Sequence, residues 1–241
     1  MHNIGRFELL LASLLLALGL AGAGYFIGKT MYNANVGVNT AEVKGLAERR
    51  VVADRAYWKI QYTVTGMDKT EIAKLYEQSE AAQNRITALL LESGFDASEI
   101  VPGVINYQTQ EFRDENQKLV EVRYHLFGSI HVETSKVQLV AEVRSKLNKF
   151  IAQGLDIQNN APAYHFTQLN TIKPEMVKEA TTNARIAANE FAANAGVHVG
   201  SIRDARQGGF VIRDVGEEYG DTRTIEKDVR LVTTITFYLT D

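Results

Sequence analysis

The sequence predicts an α+β fold: two strand-helix-strand-strand units of largely antiparallel sheet, joined by a helix, behind an N-terminal transmembrane helix. Three observations carry this expectation. Several segments alternate apolar and polar residues with a period of two, three helical stretches each stop at a glycine, and the order of these elements repeats along the chain.

From Leu9 to Ile27 the run "LLLASLLLALGLAGAGYFI" carries no charge, with Arg6 and Glu8 before it and Lys29 after it. As a helix it is about 28 Å long, close to the hydrocarbon thickness of a bilayer. The expected division is a cytoplasmic tail over 1–8, a transmembrane signal anchor over 9–28, a small, polar, aperiodic linker over 29–40 and a folded domain over 41–241. The alternative is a cleaved signal peptide, with Leu9 to Leu20 as its apolar core and "AGA" at Ala21 to Ala23 as its cleavage site. Apolar residues continue past that site through Tyr25, Phe26 and Ile27, which favours an anchor. His2, Arg6 and the free amine bias Met1 to the cytoplasm and the domain to the other side of the membrane. Gly24 and Gly28 form a GxxxG pair through which two such helices could pack, although glycine is common in export segments.

Within the domain, Val43 to Leu46 suggests a short strand, "AERR" at Ala47 to Arg50 a turn, and Val51 onward a strand that carries Trp58, Ile60, Tyr62 and Val64 inward. The first domain helix is expected over Asp68 to Ser93. Asp68 can cap it, Glu71 stands at capping-box spacing, Ile72, Tyr76, Ile86 and Leu90 mark a buried stripe, and Gly94 stops it. Strands at 101–112 and 119–133 follow. In the second, Val120, Val122, Tyr124, Leu126, Ile130 and Val132 share one face, while Glu121, Arg123, His125, Ser129, His131 and Glu133 share the other.

The next helix, Ser135 to Gln153, opens with Ser135 and Gln138 at the same spacing, buries Val137, Val140, Leu147 and Ile151, and stops at Gly154. A strand at 163–171 leads to a helix from Pro174, tolerated in a first turn, to Gly196. Its stripe of Val177, Ala180, Ala184, Ala188 and Phe191 is mostly alanine, which implies close packing. Strands at 201–213 and 222–240 complete the chain, the last with Val229, Leu231, Ile235, Phe237 and Leu239 inward. Segments 51–134 and 162–241 therefore look like an internal duplication, joined by the helix at 135–153.

Composition narrows the function. A net charge of −3 argues against a nucleic-acid partner, which calls for a basic excess. The absence of cysteine removes disulfides, thiolate nucleophiles and Cys-bound zinc, and no cofactor is expected. His125 and His131 share a strand face with Ser129 and Glu133. They stand some 20 Å apart along an extended strand, too far to chelate one metal, so a solvated face is the simpler reading. His165 and His198 are isolated, and no nucleophile-elbow sequence accompanies Ser129 or Ser201. The loop "RDVGEEYGD" offers Asp214, Glu217, Glu218 and Asp221 to calcium but lacks the order of a calcium loop, so a polar hairpin connection is expected. "RQGGF", with Gly208 and Gly209, suggests a bulge or bend, since no helix start or P-loop lysine follows. Arg49, Arg50 and Arg55 cluster on the opening turn, solvated by default but able to meet lipid headgroups or an acidic neighbour.

The opening stretch "VKGLAERRVVADRA" resembles the first strand of the SIMPL domain family, of the form V-x-G-x-G-x-V-x-V-x-P-D-x-A. Val43, Gly45, Val51, Asp54 and Ala56 match, just before Trp58, whereas Ala47 and Ala53 replace the usual second glycine and proline. "ATTNARIAANEFAANAGVHVGSI" is similar to the family's Ala-rich helix followed by G-x-x-x-G and a strand, and the resemblance covers Ala41 to Asp241. These motifs are structural signatures and assign no catalytic residue. The resemblance implies a bacterial envelope protein of the inner membrane facing the periplasm, or one secreted there after signal cleavage. Some members form large ring-like homo-oligomers, some are linked to oxidative-stress tolerance, and an animal member is a signalling adaptor. The expectation is a non-enzymatic, membrane-anchored protein that self-assembles as a scaffold or binding module, its protein partner unknown. An accessory or chaperone-like subunit, and an enzyme with a site scattered through the sequence, are the alternatives.

Overall fold

The computed structural model describes residues 6–35 and 39–240. In chain order the elements are α1 (Arg6–Asn35), β1 (Thr40–Val52), β2 (Arg55–Gly66), α2 (Ile72–Glu92), β3 (Ile100–Pro102), β4 (Asn106–Arg113), β5 (Leu119–Thr134), α3 (Val137–Lys146), α4 (Asn148–Ala152), β6 (Asp156–Asn159), β7 (Ala163–His165), α5 (Leu169–Ala195), β8 (His198–Asp214) and β9 (Glu226–Thr240). The fold is mixed, with antiparallel pairing around β2 and β5 and helices laid on sheet.

Helix α1 holds a stretch, Leu10–Tyr32, long and apolar enough to cross a membrane, a property shared by signal sequences. It runs on through Asn35, into the linker expected over 29–40, and Thr30 turns its hydroxyl back to the Phe26 carbonyl at 2.8 Å. Residues 36–38 of that linker lie outside the described residues.

The chain divides into two compact units, the first of Met1–Ala47, Val177–Gly209 and Leu231–Asp241, the second of Glu48–Met176 and Phe210–Arg230. In the second unit, β3-β5-β2-β6 form a sheet to which β4 adds beside β5 and β7 beside β2. The alternation of β2 and β5 sends Trp58, Ile60, Tyr62, Leu126, Ile130 and Val132 to one side, where α2 and α3 cover them with Ile86, Leu90, Val140 and Val143. Each such side chain withdrawn from water contributes about 1.5–3 kcal/mol, which makes this layer the main source of cohesion. Tyr62 pairs with Gly128 across the ladder, and its ring occupies the space a side chain at 128 would need, since a Cβ there would lie 2.0 Å from Tyr62 Cζ.

In the first unit, α5 lies on its sheet through Ala184 and Ala188, packed with Ile235 and Phe237. Within this unit its fully buried stripe is Ala180, Ala184, Ala188 and Ala192, whereas Phe191, expected inward, is exposed. Small side chains bring the helix axis close to the strands, so the narrow stripe is a consequence of distance.

Several expectations are corrected. "AERR" is the middle of β1, and the chain breaks at Ala53 and Asp54 instead, where Ala53 N donates to the Ile225 carbonyl and Asp54 N to the His165 carbonyl. Strand 101–112 is interrupted between β3 and β4, where Gly103 N donates to the Ser129 carbonyl. Strand 163–171 shrinks to β7 because α5 begins at Leu169, and Pro174 sits inside that helix instead of at its start. The helix at 135–153 is split at Leu147. Tyr76 and Ile151 are exposed, and the stripe of α2 is Leu75, Ser79, Ala82, Ile86 and Leu90. Asp68 does cap, accepting from Thr70 N at 2.8 Å, but Glu71 reaches Lys74. At the start of α3, Ser135 caps nothing, and Thr134 Oγ1 accepts from Lys136 N. Gly94, Gly154 and Gly196 stop their helices with φ of 106°, 87° and 73°.

β7 pairs with β2, whereas the three-stranded sheet has the order β1-β9-β8. Counting strand, helix, strand, strand, one set is β2, α2, β4 and β5, with β5 between β2 and β4. The other is β1, α5, β8 and β9, with β9 between β1 and β8. The strand that heads the second set comes from the beginning of the domain.

Candidate functional site

The six-stranded sheet has one face covered by helices and one face open. Because successive side chains alternate, the residues of β2 and β5 that do not enter the core point away from it. On β5 these are His125, Phe127, Ser129, His131 and Glu133; on β2 they are Tyr57, Lys59, Gln61, Thr63 and Thr65. Pairing registers arrange them in rows across the strands. One row is Asn106, Phe127, Thr63 and Asp156, drawn from β4, β5, β2 and β6; on one side lie Gln108, His125 and Thr65, on the other Ser129, Gln61 and Gln158.

His125 is held in this lattice. Its Nδ1 is 3.0 Å from Thr65 Oγ1, its Nε2 is 3.2 Å from Gln110 Oε1, and its ring stacks on Phe127 with centroids 5.7 Å apart. His131 makes a single long approach, 3.4 Å from Ser129 Oγ. The two histidines thus occupy separate neighbourhoods, and among the described residues no group of three or more His, Asp or Glu converges as a metal set.

The same face changes character along the strands. Around His131 it forms a depression of about 560 Å³ lined by Arg55, Tyr57, Lys59, Glu99, Val101 and Glu133. Arg55 and Glu133 are 4.0 Å apart, and Lys136 binds both Asp96 and Glu99 at its rim. Burial works against the Glu99 carboxylate, but hydrogen bonds from Thr134 Oγ1, Asp96 N and Lys136 hold its pKa below the ordinary range. Around Phe127 the depression is about 430 Å³ and formal charge nearly disappears, with Asp156 its one charged residue.

The sequence signature residues are scaffold. Gly45 lies against α5, where a Cβ would be 1.8 Å from the Ala180 carbonyl oxygen, and Asn183 donates to the Leu46 carbonyl at 2.8 Å. Val43 packs at the edge of the α5 core, Val51 is half-buried in β1, and Ala56 and Trp58 enter the main core. Trp58 Nε1 donates to the Asn160 carbonyl at 3.1 Å. Asp54 accepts from Thr167 N at 2.6 Å and Thr167 Oγ1 at 2.7 Å, just before α5. Burial raises its pKa, yet these bonds outweigh that cost and hold it low. Gly24 and Gly28 both face open space.

Arg49 bonds Glu175 at 2.7 Å, Arg50 bonds Asp228 at 3.0 Å and Arg55 pairs with Glu133 at 4.0 Å, so all three clustered arginines are paired within the fold. Gly208 and Gly209 lie inside β8, and a Cβ on Gly208 would meet the Val232 carbonyl at 2.6 Å. In the acidic loop Asp214 turns inward, where Lys227 Nζ reaches its Oδ1 at 2.5 Å and both side chains are fully buried. Arg223 N, Thr224 N and Thr224 Oγ1 complete its shell, and despite burial these donors depress its pKa strongly. Glu217 turns instead to Arg223 at 2.6 Å, so the loop's acids diverge.

Two features escaped the sequence reading, and both were signalled by strand parity. Phe127 falls in the solvent phase of β5, and Lys227 falls two residues before Val229 in the buried phase of β9.

No curated protein matches the chain. Residues 41–227 match the family model SIMPL, described as a protein of unknown function (DUF541), and the chain belongs to the SIMPL family.

Proposed function

We propose that this chain is a non-enzymatic, membrane-tethered binding module of the bacterial cell envelope that self-assembles and acts as a scaffold. The asymmetry of the six-stranded sheet supports this reading most: helices seal one face, and the other presents a broad lattice of polar and aromatic side chains. The carboxylates with depressed pKa, Asp54, Asp68, Glu99 and Asp214, are each tied to structural donors instead of meeting in one cleft. Helix α1 supplies the tether. Strands β4 and β8 end their sheets, and an unpaired edge is a template for a second chain.

The test is the mass of the full-length protein in mild detergent, measured by light scattering. A defined homo-oligomer is expected, and a monomer overturns self-assembly. One observation favours an accessory, chaperone-like role instead: near the β4–β5 hairpin, Val104 is 80% exposed, Val120 67% and Tyr107 50%. A photo-crosslinking residue at Val120 separates the two, since capture of a second copy supports the scaffold and capture of a different envelope protein supports the accessory role.

A further inference from the structure

We propose that one end of the first unit, where β1 starts and β9 finishes, lies against the surface of the bilayer that α1 crosses, an assignment that rests on the tether reading above. Several element ends meet there. Leu239 N donates to the Asn39 carbonyl at 2.8 Å, which joins the finish of β9 to the residue before β1. A Cβ on Gly200 would lie 3.2 Å from the Tyr238 carbonyl oxygen and 3.6 Å from Thr240 Cγ2, so the start of β8 adjoins the same place. Helix α5 ends there too. Gly45 lies against Ala180 and Ala184, and Val43 packs with Ala184 and Ala188, so the helix advances as β1 is followed back toward its first residue.

The length of the tether brings this end to the membrane. The apolar stretch of α1 closes at Tyr32, the helix closes at Asn35, and Asn39 is already bonded to β9. The step from Asn35 to Asn39 covers at most about 14 Å even fully extended. The helical residues beyond Tyr32 add about 4.5 Å. Asn39 is therefore held within about 19 Å of the hydrocarbon edge, and the headgroup layer fills about 5–8 Å of that distance.

The composition of this end suits the same neighbour. The segments that reach it, 30–41, 191–202 and 231–240, hold no Asp, Glu, Lys or Arg, although such residues make up 23% of the chain. Charge resumes at Glu42, Glu190 and Arg203, and at Asp241, which lies outside the described residues. A charge pressed toward hydrocarbon loses hydration, so a surface held beside a bilayer favours small and neutral groups. Ala193, Asn194, Ala195 and His198 are the exposed residues around the end of α5 and the start of β8. The lack of Lys and Arg also sets the kind of contact. With no such cation to draw acidic headgroups, it depends on the closeness that the tether imposes and not on lipid charge.

Because the chain has no cysteine, single labels can be placed at will. Bimane is attached at Ala195→Cys, or at Gln207→Cys, which is exposed on β8 about 30 Å beyond His198. The full-length protein is reconstituted in phosphatidylcholine vesicles that carry a nitroxide on some headgroups, and in the same vesicles enriched in phosphatidylglycerol. Quenching at Ala195→Cys should be at least about twofold stronger than at Gln207→Cys, alike in both lipids and at high salt. Thermal unfolding verifies that each labelled variant keeps the fold. Equal quenching at the two positions, stronger quenching at Gln207→Cys, or quenching at Ala195→Cys confined to the acidic vesicles overturns the assignment. Flotation after an alkaline wash separates this failure from that of the tether. Protein that floats with the vesicles yet is quenched equally at both positions leaves the tether and removes the lipid contact, whereas protein released by the wash removes both.

Discussion

A Cβ added to Gly45 would sit 1.8 Å from the carbonyl oxygen of Ala180 and 2.8 Å from the Cβ of Ala184, so β1 and α5 touch backbone to backbone. The obstacle is main chain, which cannot rotate aside as a long side chain would. Gly45→Val should therefore lower stability by about 3 kcal/mol or prevent folding, and Gly45→Ala should already be costly. Gly209 has nothing within 4 Å of its would-be Cβ, and Gly209→Ala serves as control. Thermal unfolding followed by circular dichroism compares them, and equal midpoints for the two alanine variants would refute the close approach.

Asp54 ties the break after β1 to Thr167 through two hydrogen bonds. Asp54→Ala should cost about 1–2 kcal/mol at neutral pH. The folded pKa is depressed, so the stabilisation is complete above the ordinary aspartate range of about pH 4 and is lost as pH falls through the lower folded value. The difference in unfolding free energy between wild type and Asp54→Ala should accordingly shrink toward acid. A difference that stays constant from pH 7 to pH 3 would mean that the carboxylate charge is irrelevant.

Lys227 and Asp214 form a fully buried ion pair. Lys227→Met leaves an uncompensated carboxylate and should cost about 3–5 kcal/mol, whereas the double change to Asp214→Asn with Lys227→Met should recover part of the loss. Asp214 is held far below its ordinary pKa, so this pair persists well into acid and fails only when pH drops toward that depressed value. Denaturant titration of both single variants and the double supplies the coupling, and strictly additive losses would argue against it.

The fate of α1 is measurable directly. As an anchor it keeps the intact chain in the membrane fraction after an alkaline wash, with the first residue unchanged by mass spectrometry. A mature N-terminus just after Ala23 would show cleavage instead and would remove the tether from the proposed function.

The apolar run of α1, the solvent and core phases of β2, β5 and β9, and the glycine stops of α2, α4 and α5 were legible in the sequence because each depends on local periodicity or on one residue's backbone freedom. The match of Val43, Gly45, Val51, Asp54 and Ala56 identified the family for a related reason, since it records where a strand must lie close to a helix and where a turn must be braced.

Partnership was not legible. The repeated order of elements suggested that the strand after residue 162 heads the second unit, but hydrogen bonding gives that place to β1 and leaves β7 beside β2. A period of two says which way a side chain points and nothing about which strand lies next to it. Registers between distant segments decided that Phe127 stands beside Asn106, Thr63 and Asp156, and that Lys227 meets Asp214 in the interior. The sequence by itself thus determined most of the elements, the inward faces of β2, β5 and β9 and the family, whereas Tyr76, Ile151 and Phe191, expected inward on their helices, are exposed. The tertiary structure alone decided which residues share a surface, because that depends on long-range pairing whose energy is spread over whole ladders instead of residing in any local motif.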